Sequence, residues 1–348
     1  MIVDYLIMGA GVSGLATAQR LLMQGLSVTV LDRGGAGQES SWAGGGILSP
    51  LCPWDYPEAV TRLTSLGATI FPGWVGELHA ATGIDPEYEV SGMRVMPPFN
   101  LSLARRWCDE HAWIAEEQRE ALFLPEVAQV RNPRLIQALR RHVEMLGGRI
   151  VEHCEVQKIA AEGGMVQGIE TTLGNFSADC YINCAGAWSE QLLGQYAMKL
   201  DIKPIRGQML LFKFDVPPIP HILLQDGMYL IPRRDGHMLV GSTLEDVGFD
   251  KSTTIAARES LRQRAELLLP SLRGMPLVQH WSGLRPASPG NIPTIGRHPL
   301  LQNLYINSGH FRYGVTMAPA SAEILLNEIN GIEQPLDVSP YHDGWGDV

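Results

Sequence analysis

The spacing of apolar positions at the start of the chain predicts a strand, a helix and a second strand in direct succession. An apolar run, 5–8, leads into a glycine-rich turn, and the apolar side chains from Leu15 to Leu22 then recur at helical intervals. A second apolar run, 28–31, has the length and the β-branched residues of a strand. Strands that alternate with helices in this way are typical of a parallel sheet.

The turn between the first strand and the helix has the pattern G-x-G-x-x-G, formed by Gly9, Gly11 and Gly14. Gly9 permits the tight turn, Gly11 leaves room for a pyrophosphate, and Gly14 lets the helix pack closely on the strand. The helix N-terminus offers N–H groups and a partial positive charge to phosphates. Asp32 ends the second strand, where a carboxylate can bind a ribose 2′-hydroxyl and would repel the 2′-phosphate of NADP. Together these features predict a dinucleotide site.

Apolar periodicity predicts further elements along the rest of the chain. Helices are expected at about 57–82, 101–120, 134–147, 255–269 and 318–330. Strands are expected at 88–96, 149–156, 166–169, 175–178 and 180–184, and then at 209–214, 228–231, 238–241, 278–282 and 304–307. The segment after residue 205 is therefore rich in short strands.

The order of these elements predicts an α/β fold combined with a β-rich lobe. A Rossmann-type dinucleotide-binding domain is expected to be discontinuous, with an antiparallel-sheet substrate domain inserted into it. We assign 1–80, 133–204 and 286–348 to the first domain, and 81–132 and 205–285 to the second.

Composition and charge exclude several classes of function. Hydrophobic residues make up 45% and charged residues 18% of the 348 residues, and the net charge is −10. An acidic chain without a basic stripe disfavours nucleic acid as a partner. No apolar run is long enough to span a bilayer, and the first strand begins too early for a cleavable signal, so a cytoplasmic protein is expected. The five scattered cysteines favour reduced thiols, and the ten histidines lack metal-ligand spacing, so no metal is expected.

Small residues after Asp32 predict a loop whose backbone faces a ligand. The loop passes through Ser40 and Ser41 to the glycines 44–46, and a flexible surface connection is the alternative. The buried strand 180–184 likewise ends in a small-residue turn, at the edge of the sheet where open α/β folds bind ligands.

Further motifs follow one another in a fixed order along nearly the whole chain. They are the glycine turn with Asp32, the Ser40-Ser41 loop, Asn183–Trp188, Tyr229–Arg233, Trp281–Pro286 with Gly296–Pro299, and Gly309–Gly314. In this order the chain resembles the glycine oxidase and D-amino-acid oxidase family of FAD-dependent amine oxidoreductases, and most of all its members from thiamine biosynthesis. The resemblance implies oxidation of glycine or another small amino acid by molecular oxygen, giving a 2-oxo acid, ammonia and hydrogen peroxide. It also implies a homo-oligomer.

The resemblance assigns roles to individual residues. Gly11 and the residues after it are implied to hold the FAD pyrophosphate, Asp32 the ribose, Val156 the adenine, and 309–314 the pyrimidine edge of the flavin. The full set implied to bind FAD is Gly9, Gly11, Val12, Ser13, Gly14, Asp32, Arg33, Ser40, Ser41, Gly45, Gly46, Leu48, Val156, Ala185, Gly186, Trp188, Arg285, Gly309, His310, Phe311, Arg312, Tyr313, Gly314, Val315 and Thr316. Tyr229 and Arg285 are implied to bind the substrate carboxylate, with Arg312 close to the same pocket.

The chemistry of these side chains suits such a reaction. An arginine fork grips a carboxylate through two charge-assisted hydrogen bonds, and a tyrosine hydroxyl adds a donor without net charge. A pinned carboxylate lets the Cα hydride leave directly from the neutral amine, so no side-chain base is required. The helix after 309–314 presents its positive end to charge that develops on the flavin.

Each assignment has a structural alternative. Arg285 and Arg312 could pair with acids at the surface, and Tyr229 could be a core-edge aromatic. His310 is more typical of a structural role, and Trp188 of packing.

The chain also departs from the family pattern. Gly290-Asn291 replaces the Asp-Gly usually found after the Arg-Pro motif, and the C-terminal tail lacks the family's arginine. No cysteine lies near the flavin-edge motifs and no histidine lies in the Ser40 loop, so we predict non-covalent FAD.

Other functions stay open from the sequence. They are a dehydrogenase of the same fold that passes electrons to a quinone or carrier, a nicotinamide-dependent dehydrogenase, and a non-catalytic flavoprotein subunit. Sarcosine, D-alanine, D-proline or an iminodiacid could replace glycine as the substrate.

Overall fold

The computed structural model describes residues 3–346. Its helices are α1 (Val12–Met23), α2 (Ser40–Ala43), α3 (Glu58–Thr82), α4 (Leu101–Glu110), α5 (Asn132–Met145), α6 (Ser189–Leu193), α7 (Ile255–Leu268), α8 (Gly314–Asn330) and α9 (Ser339–His342). Its strands are β1 (Val3–Met8), β2 (Val28–Leu31), β3 (Glu89–Val90), β4 (Met93–Met96), β5 (Glu116–Gln118), β6 (Ala121–Leu124), β7 (Ala128–Gln129), β8 (Arg149–Val151), β9 (Val156–Glu162), β10 (Met165–Thr171), β11 (Gly174–Phe176), β12 (Ala178–Asn183), β13 (Lys203–Lys213), β14 (Ile222–Gln225), β15 (Met228–Pro232), β16 (His237–Gly241), β17 (Gln279–Ala287), β18 (Thr294–Arg297) and β19 (Leu304–Ser308).

A six-stranded sheet carries the glycine turn. Its order is β18-β19-β12-β1-β2-β8, and every pairing is parallel except that of β18 with β19. Because successive side chains of a strand point to opposite faces, β1 contributes to two cores. Tyr5 and Ile7 pack with α1, α3, α5 and α8, whereas Leu6 and Met8 pack towards the three-stranded antiparallel sheet β11-β10-β9.

An eight-stranded sheet forms the second layer of the molecule. Its order is β17-β13-β16-β15-β14-β4-β6-β5, with all pairings antiparallel except that of β14 with β4. One face packs on α7 through Leu230 and Val240, and the other packs Tyr229 and Ile231 against Trp54. The predicted combination of a parallel α/β sheet with an antiparallel sheet is confirmed.

Several predicted elements differ in the structure. The helix expected at 101–120 ends at Glu110, because Ala112 has a φ of +53° and Trp113 turns its N–H back to the carbonyl of Cys108. Polar residues after that turn form the edge strand β5. The strand expected at 149–156 is divided between β8 of the six-stranded sheet and β9 of the three-stranded sheet.

Other differences concern the loop after Asp32 and the domain limits. Ser40–Ala43 forms one helical turn rather than a loop. The division into domains stays a prediction, although the strands of the eight-stranded sheet lie within 93–124 and 203–287.

Between residues 3 and 346, no helix combines the length and the apolar character that a bilayer-crossing helix requires.

Candidate active site

The carboxyl ends of the parallel strands meet at one large cavity. Its volume is about 380 Å³, and its wall includes Met8, Leu31, Cys184 and Ser308, which lie at or just beyond the ends of β1, β2, β12 and β19. Residues of the eight-stranded sheet form the opposite side of the same cavity. This is the position in which open α/β sheets bind ligands.

The glycine turn lines the cavity and has no room for a side chain at Gly9 or Gly14. Gly9 has a φ of +114°, and a Cβ there would lie 2.3 Å from the carbonyl oxygen of Cys184. A Cβ on Gly14 would lie 1.9 Å from the carbonyl oxygen of Gly9, because α1 packs directly on the turn. Val12, the first residue of α1, donates its N–H to Ser41 Oγ at 2.9 Å. The Ser41 hydroxyl therefore lies at the N-terminus of α1, where the helix can bind a phosphate.

Asp32 is fixed by the backbone on both sides. Its Oδ2 accepts the Ala10 N–H and its Oδ1 accepts the Gly34 N–H, both at 2.8 Å. Burial raises the pKa of Asp32, and these two hydrogen bonds act against that shift. Each carboxylate oxygen keeps a further lone pair, so the group can still accept a ligand hydroxyl.

Arg285 lies on β17 on the opposite side of the cavity. Its guanidinium extends over Gly207 of the neighbouring strand, where a Cβ would approach Nη1 to 2.1 Å. Nη2 donates to Ser242 Oγ at 2.5 Å, and Nη1 donates to the carbonyl oxygen of Thr243 at 3.2 Å. Burial lowers the pKa of Arg285, whereas the adjacent Tyr229 favours its charged form. An arginine keeps its proton under these conditions, so the cavity contains a fixed cation.

Tyr229 and Arg312 complete this end of the cavity. Tyr229 is 7% exposed, and its hydroxyl donates to the weak acceptor Met209 Sδ at 3.4 Å. Arg312 lies in the segment that leads into α8, a helix of 17 residues that begins at Gly314. Within residues 3–346, no acidic side chain forms an ion pair with Arg285 or Arg312. Two cations and a hydroxyl thus face a space that can accept a carboxylate.

The structure brings most of the predicted site residues together. Those that line the cavity are Gly9, Gly11, Val12, Ser13, Asp32, Arg33, Ser40, Ser41, Gly45, Gly46, Val156, Ala185, Gly186, Trp188, Tyr229, Arg285, His310, Phe311, Arg312, Tyr313, Gly314 and Val315. Arg33 lies 3.9 Å from the ring centre of Trp188, which gives this part of the wall a cation–π pair.

Four predicted residues lie behind the wall instead of in it. Gly14 packs against Gly9, and the Leu48 N–H donates to the carbonyl oxygen of Ala128 at 2.9 Å. Gly309 accepts a hydrogen bond from Ser288 through its carbonyl, and Thr316 donates its hydroxyl to the carbonyl oxygen of Ile47. These four residues support the cavity wall from behind, and residues next to them in the sequence line it.

Sequence analysis missed other residues of the wall, including Ser49, Leu51, Asn132 and Asn307. Asn132 precedes a proline at a helix start, a pattern that signals only a helix boundary. Asn307 is the last residue but one of the buried strand β19, and its position near the strand end was the one available signal.

Buried polar atoms in the wall lack partners within the described chain. Both amide atoms of Asn132, Asn307 Oδ1, His310 Nε2 and Tyr313 Oη have no hydrogen bond. A buried polar group without a partner is costly, so native structures rarely keep one without a ligand or water to satisfy it. A large ligand with many donors and acceptors, such as FAD, fits this wall.

His310 makes the stability of the protein depend on pH. Burial lowers the pKa of His310 from 6.5 to about 4. The histidine therefore takes up a proton near pH 6.5 in the unfolded chain but only near pH 4 in the folded chain. The free energy of unfolding falls as the pH drops from 6.5 to 4, because the unfolded state binds more protons there. We expect the wild type to lose up to about 3 kcal/mol more than His310→Gln between pH 7 and pH 4. Urea unfolding of both proteins tests this, with His79→Gln as an exposed control; equal losses in all three would contradict it.

The chain is similar in sequence and in structure to proteins of one family. Residues 4–327 match the DAO family, described as FAD dependent oxidoreductase. The chain belongs to this family. It is an FAD-dependent oxidoreductase, and the expectations of family and cofactor are confirmed.

Individual DAO relatives match over nearly the whole chain. The glycine oxidase of Pseudomonas aeruginosa is 41% identical over 96% of this chain and 97% of its own length. The bifunctional protein ThiO/ThiG of Trichormus variabilis is 32% identical over 97% of this chain, which spans 54% of that protein. The crystal structure of glycine oxidase from Geobacillus kaustophilus has the same fold, with a TM-score of 0.93, 24% identity and 97% of each chain covered.

Proposed function

We propose that the protein oxidises glycine or another small amino acid to an imine that hydrolyses to a 2-oxo acid and ammonia. Arg285 and Arg312 carry this proposal, because both border the cavity beside Tyr229 and neither has an acidic partner between residues 3 and 346. A substrate carboxylate would gain two charge-assisted hydrogen bonds from one guanidinium and balance an otherwise uncompensated charge. The identity of 41% to a glycine oxidase supports glycine as the substrate.

The residues of the chain bind and orient the substrate in this proposal. Arg285 holds the carboxylate, and Ser242 and Thr243 keep the guanidinium from rotating. Tyr229 can donate its hydroxyl to the same carboxylate, since its present acceptor is only a thioether. Bound FAD supplies acceptance of the hydride from Cα and transfer of the electrons to oxygen. The remaining requirement is orientation, and a carboxylate fixed at two points meets it.

The turn and the loops would hold FAD without a covalent bond. The N-terminus of α1 and Ser41 suit the pyrophosphate, and Asp32 suits the ribose. The rest of the cavity is bordered by residues that include Gly186, Trp188 and 310–315. The positive end of α8 would stabilise negative charge on the flavin.

Substrate and electron acceptor can be tested in one anaerobic experiment. We expect glycine, or one of sarcosine, D-alanine, D-proline and iminodiacetate, to bleach the flavin band of the purified protein. Readmitted oxygen should then restore the band within the turnover time and produce one hydrogen peroxide for each amino acid oxidised. Rapid bleaching followed by slow recovery in oxygen but fast recovery with a quinone would identify the dehydrogenase instead. No bleaching by any of these amines would contradict the proposed function.

A further inference from the structure

Arg233 is a buried cation between β15 and the loop 44–46, and it takes no part in the proposed binding of substrate. The residue directly follows β15, the strand that carries Tyr229, and it is 4% exposed. Within residues 3–346 it forms no ion pair, and its charge is met by neutral acceptors only. Burying an arginine without an acid is costly, so a specific structural or functional need is expected to retain it.

The acceptors of Arg233 connect β15 to the loop that borders the cavity. Nη1 donates to Gln129 Oε1 at 2.8 Å and to the carbonyl oxygen of Val130 at 3.0 Å. Nη2 donates to the carbonyl oxygen of Gly45 at 2.7 Å. The Val130 N–H also donates to the carbonyl oxygen of Gly46 at 2.9 Å, so the backbone at Val130 holds the loop as well.

This arrangement fixes the orientation of the peptide between Gly45 and Gly46. The bond is trans, so its C=O and N–H point in opposite directions in one plane. With the Gly45 carbonyl directed to Arg233, the Gly46 N–H is directed away from it. Gly46 is buried and lines the cavity, and within residues 3–346 its N–H has no acceptor. A buried N–H without an acceptor requires a partner from outside the chain.

The same loop lies directly against the substrate side. A Cβ on Gly45 would lie 2.6 Å from Ile231 Cδ1 and 3.1 Å from Tyr229 Cε2. The loop backbone therefore occupies a fixed place beside Tyr229, and a rotation of the 45–46 peptide would turn a carbonyl to the cavity instead of an N–H.

We propose that Arg233 is a positioning residue that holds the Gly45 carbonyl and so presents the Gly46 N–H as a hydrogen-bond donor to the flavin ring of FAD. The acceptor is a ring nitrogen or carbonyl oxygen of the flavin, which becomes more basic as negative charge enters the ring. The hydrogen bond from the Gly46 N–H strengthens when the ring is reduced. Arg233 therefore affects flavin reduction and FAD affinity without contacting FAD or the substrate. This inference rests on FAD occupying the cavity, and not on the identity of the amino acid.

Variants at position 233 separate positioning from packing. We expect Arg233→Met to weaken FAD binding by roughly tenfold, the value of one hydrogen bond to a fixed donor. We also expect a shifted flavin absorption band and a lower kcat with little change in KM. Arg233→Lys keeps the positive charge but lacks the planar guanidinium with its several donors. It should therefore retain only part of the wild-type FAD affinity, absorption spectrum and kcat. Arg131→Met is the control, because Arg131 lies nearby and pairs with Glu87 and Asp235 without touching the loop.

A measurement on the wild type covers the case in which Arg233→Met does not fold. We expect the Gly46 amide to become protected from hydrogen exchange when FAD is added to the apoprotein, and the amide of Gly73, which lies in α3 and does not line the cavity, to be unaffected. An unprotected Gly46 amide in the FAD-bound protein, or an Arg233→Met variant with unchanged FAD affinity and spectrum, would overturn the proposal. Neither readout involves substrate, so failure here is distinct from failure of the proposed amino-acid oxidation.

Discussion

Arg285→Ala is expected to raise the KM for the amino-acid substrate by roughly 100-fold, the largest kinetic effect that we foresee. The guanidinium would supply two charge-assisted hydrogen bonds to the carboxylate, and their joint loss corresponds to about 3 kcal/mol. A substrate that is no longer held also loses the alignment of Cα with the flavin, so kcat should fall as well. Steady-state kinetics with varied amino acid and fixed oxygen measure both constants.

The control for this variant is another arginine outside the cavity. Arg297 donates to the hydroxyl of Tyr305 at 3.0 Å and does not line the wall. Arg297→Ala should leave KM within about twofold of the wild type, since surface contacts of this kind contribute little. Arg285→Lys keeps a positive charge, so its KM should lie between those of the wild type and Arg285→Ala. A wild-type KM in Arg285→Ala would refute the role assigned to this residue.

Gly14→Ala is expected to remove most of the affinity for FAD. Its Cβ would lie 1.9 Å from the carbonyl oxygen of Gly9 and 3.2 Å from Cys184 Cβ, so α1 must move away from β1. Such a movement displaces the N–H groups at the start of α1 from the pyrophosphate position. We expect the dissociation constant of FAD to rise by roughly 100-fold or more, measured by titrating the apoprotein and following flavin fluorescence.

A second glycine provides the matched control for this substitution. Gly73 lies on the exposed side of α3, and a Cβ there meets no atom within 4 Å. Gly73→Ala should keep the affinity for FAD and can add up to about 1 kcal/mol of stability, because alanine is the better helix former. Far-ultraviolet circular dichroism of both apoproteins separates a lost cofactor site from a lost fold. A folded Gly14→Ala protein that binds FAD as tightly as the wild type would contradict the expectation.

The sequence by itself determined the dinucleotide end of the site. Gly9, Gly14 and Asp32 follow one another within a single strand–helix–strand unit, and such local geometry is encoded by residues close together in the chain. The structure places Asp32 against the Ala10 N–H and Gly14 against Gly9, as that pattern requires. The helix at 57–82 was equally predictable, since Glu58–Thr82 repeats its apolar positions over many turns.

Only the tertiary structure decided the substrate end. Tyr229, Arg285 and Arg312 lie on separate elements, and nothing in their spacing predicts that they share a wall. The family resemblance suggested this group, but the absence of acidic partners within residues 3–346 is a property of the folded chain. An arginine's sequence neighbours do not reveal whether an acid from another strand neutralises it.

Asn132 and Arg233 also have surroundings that their sequence neighbours do not reveal. By sequence, Asn132 signals a helix start, and Arg233 only ends the motif Tyr229–Arg233 after a predicted strand. In the structure both are buried beside the loop 44–46. The amide atoms of Asn132 have no partner within the described residues 3–346, and Arg233 is bound to the Gly45 carbonyl. Contacts between distant segments depend on how two sheets pack, and packing is decided by the whole core and not by any local pattern.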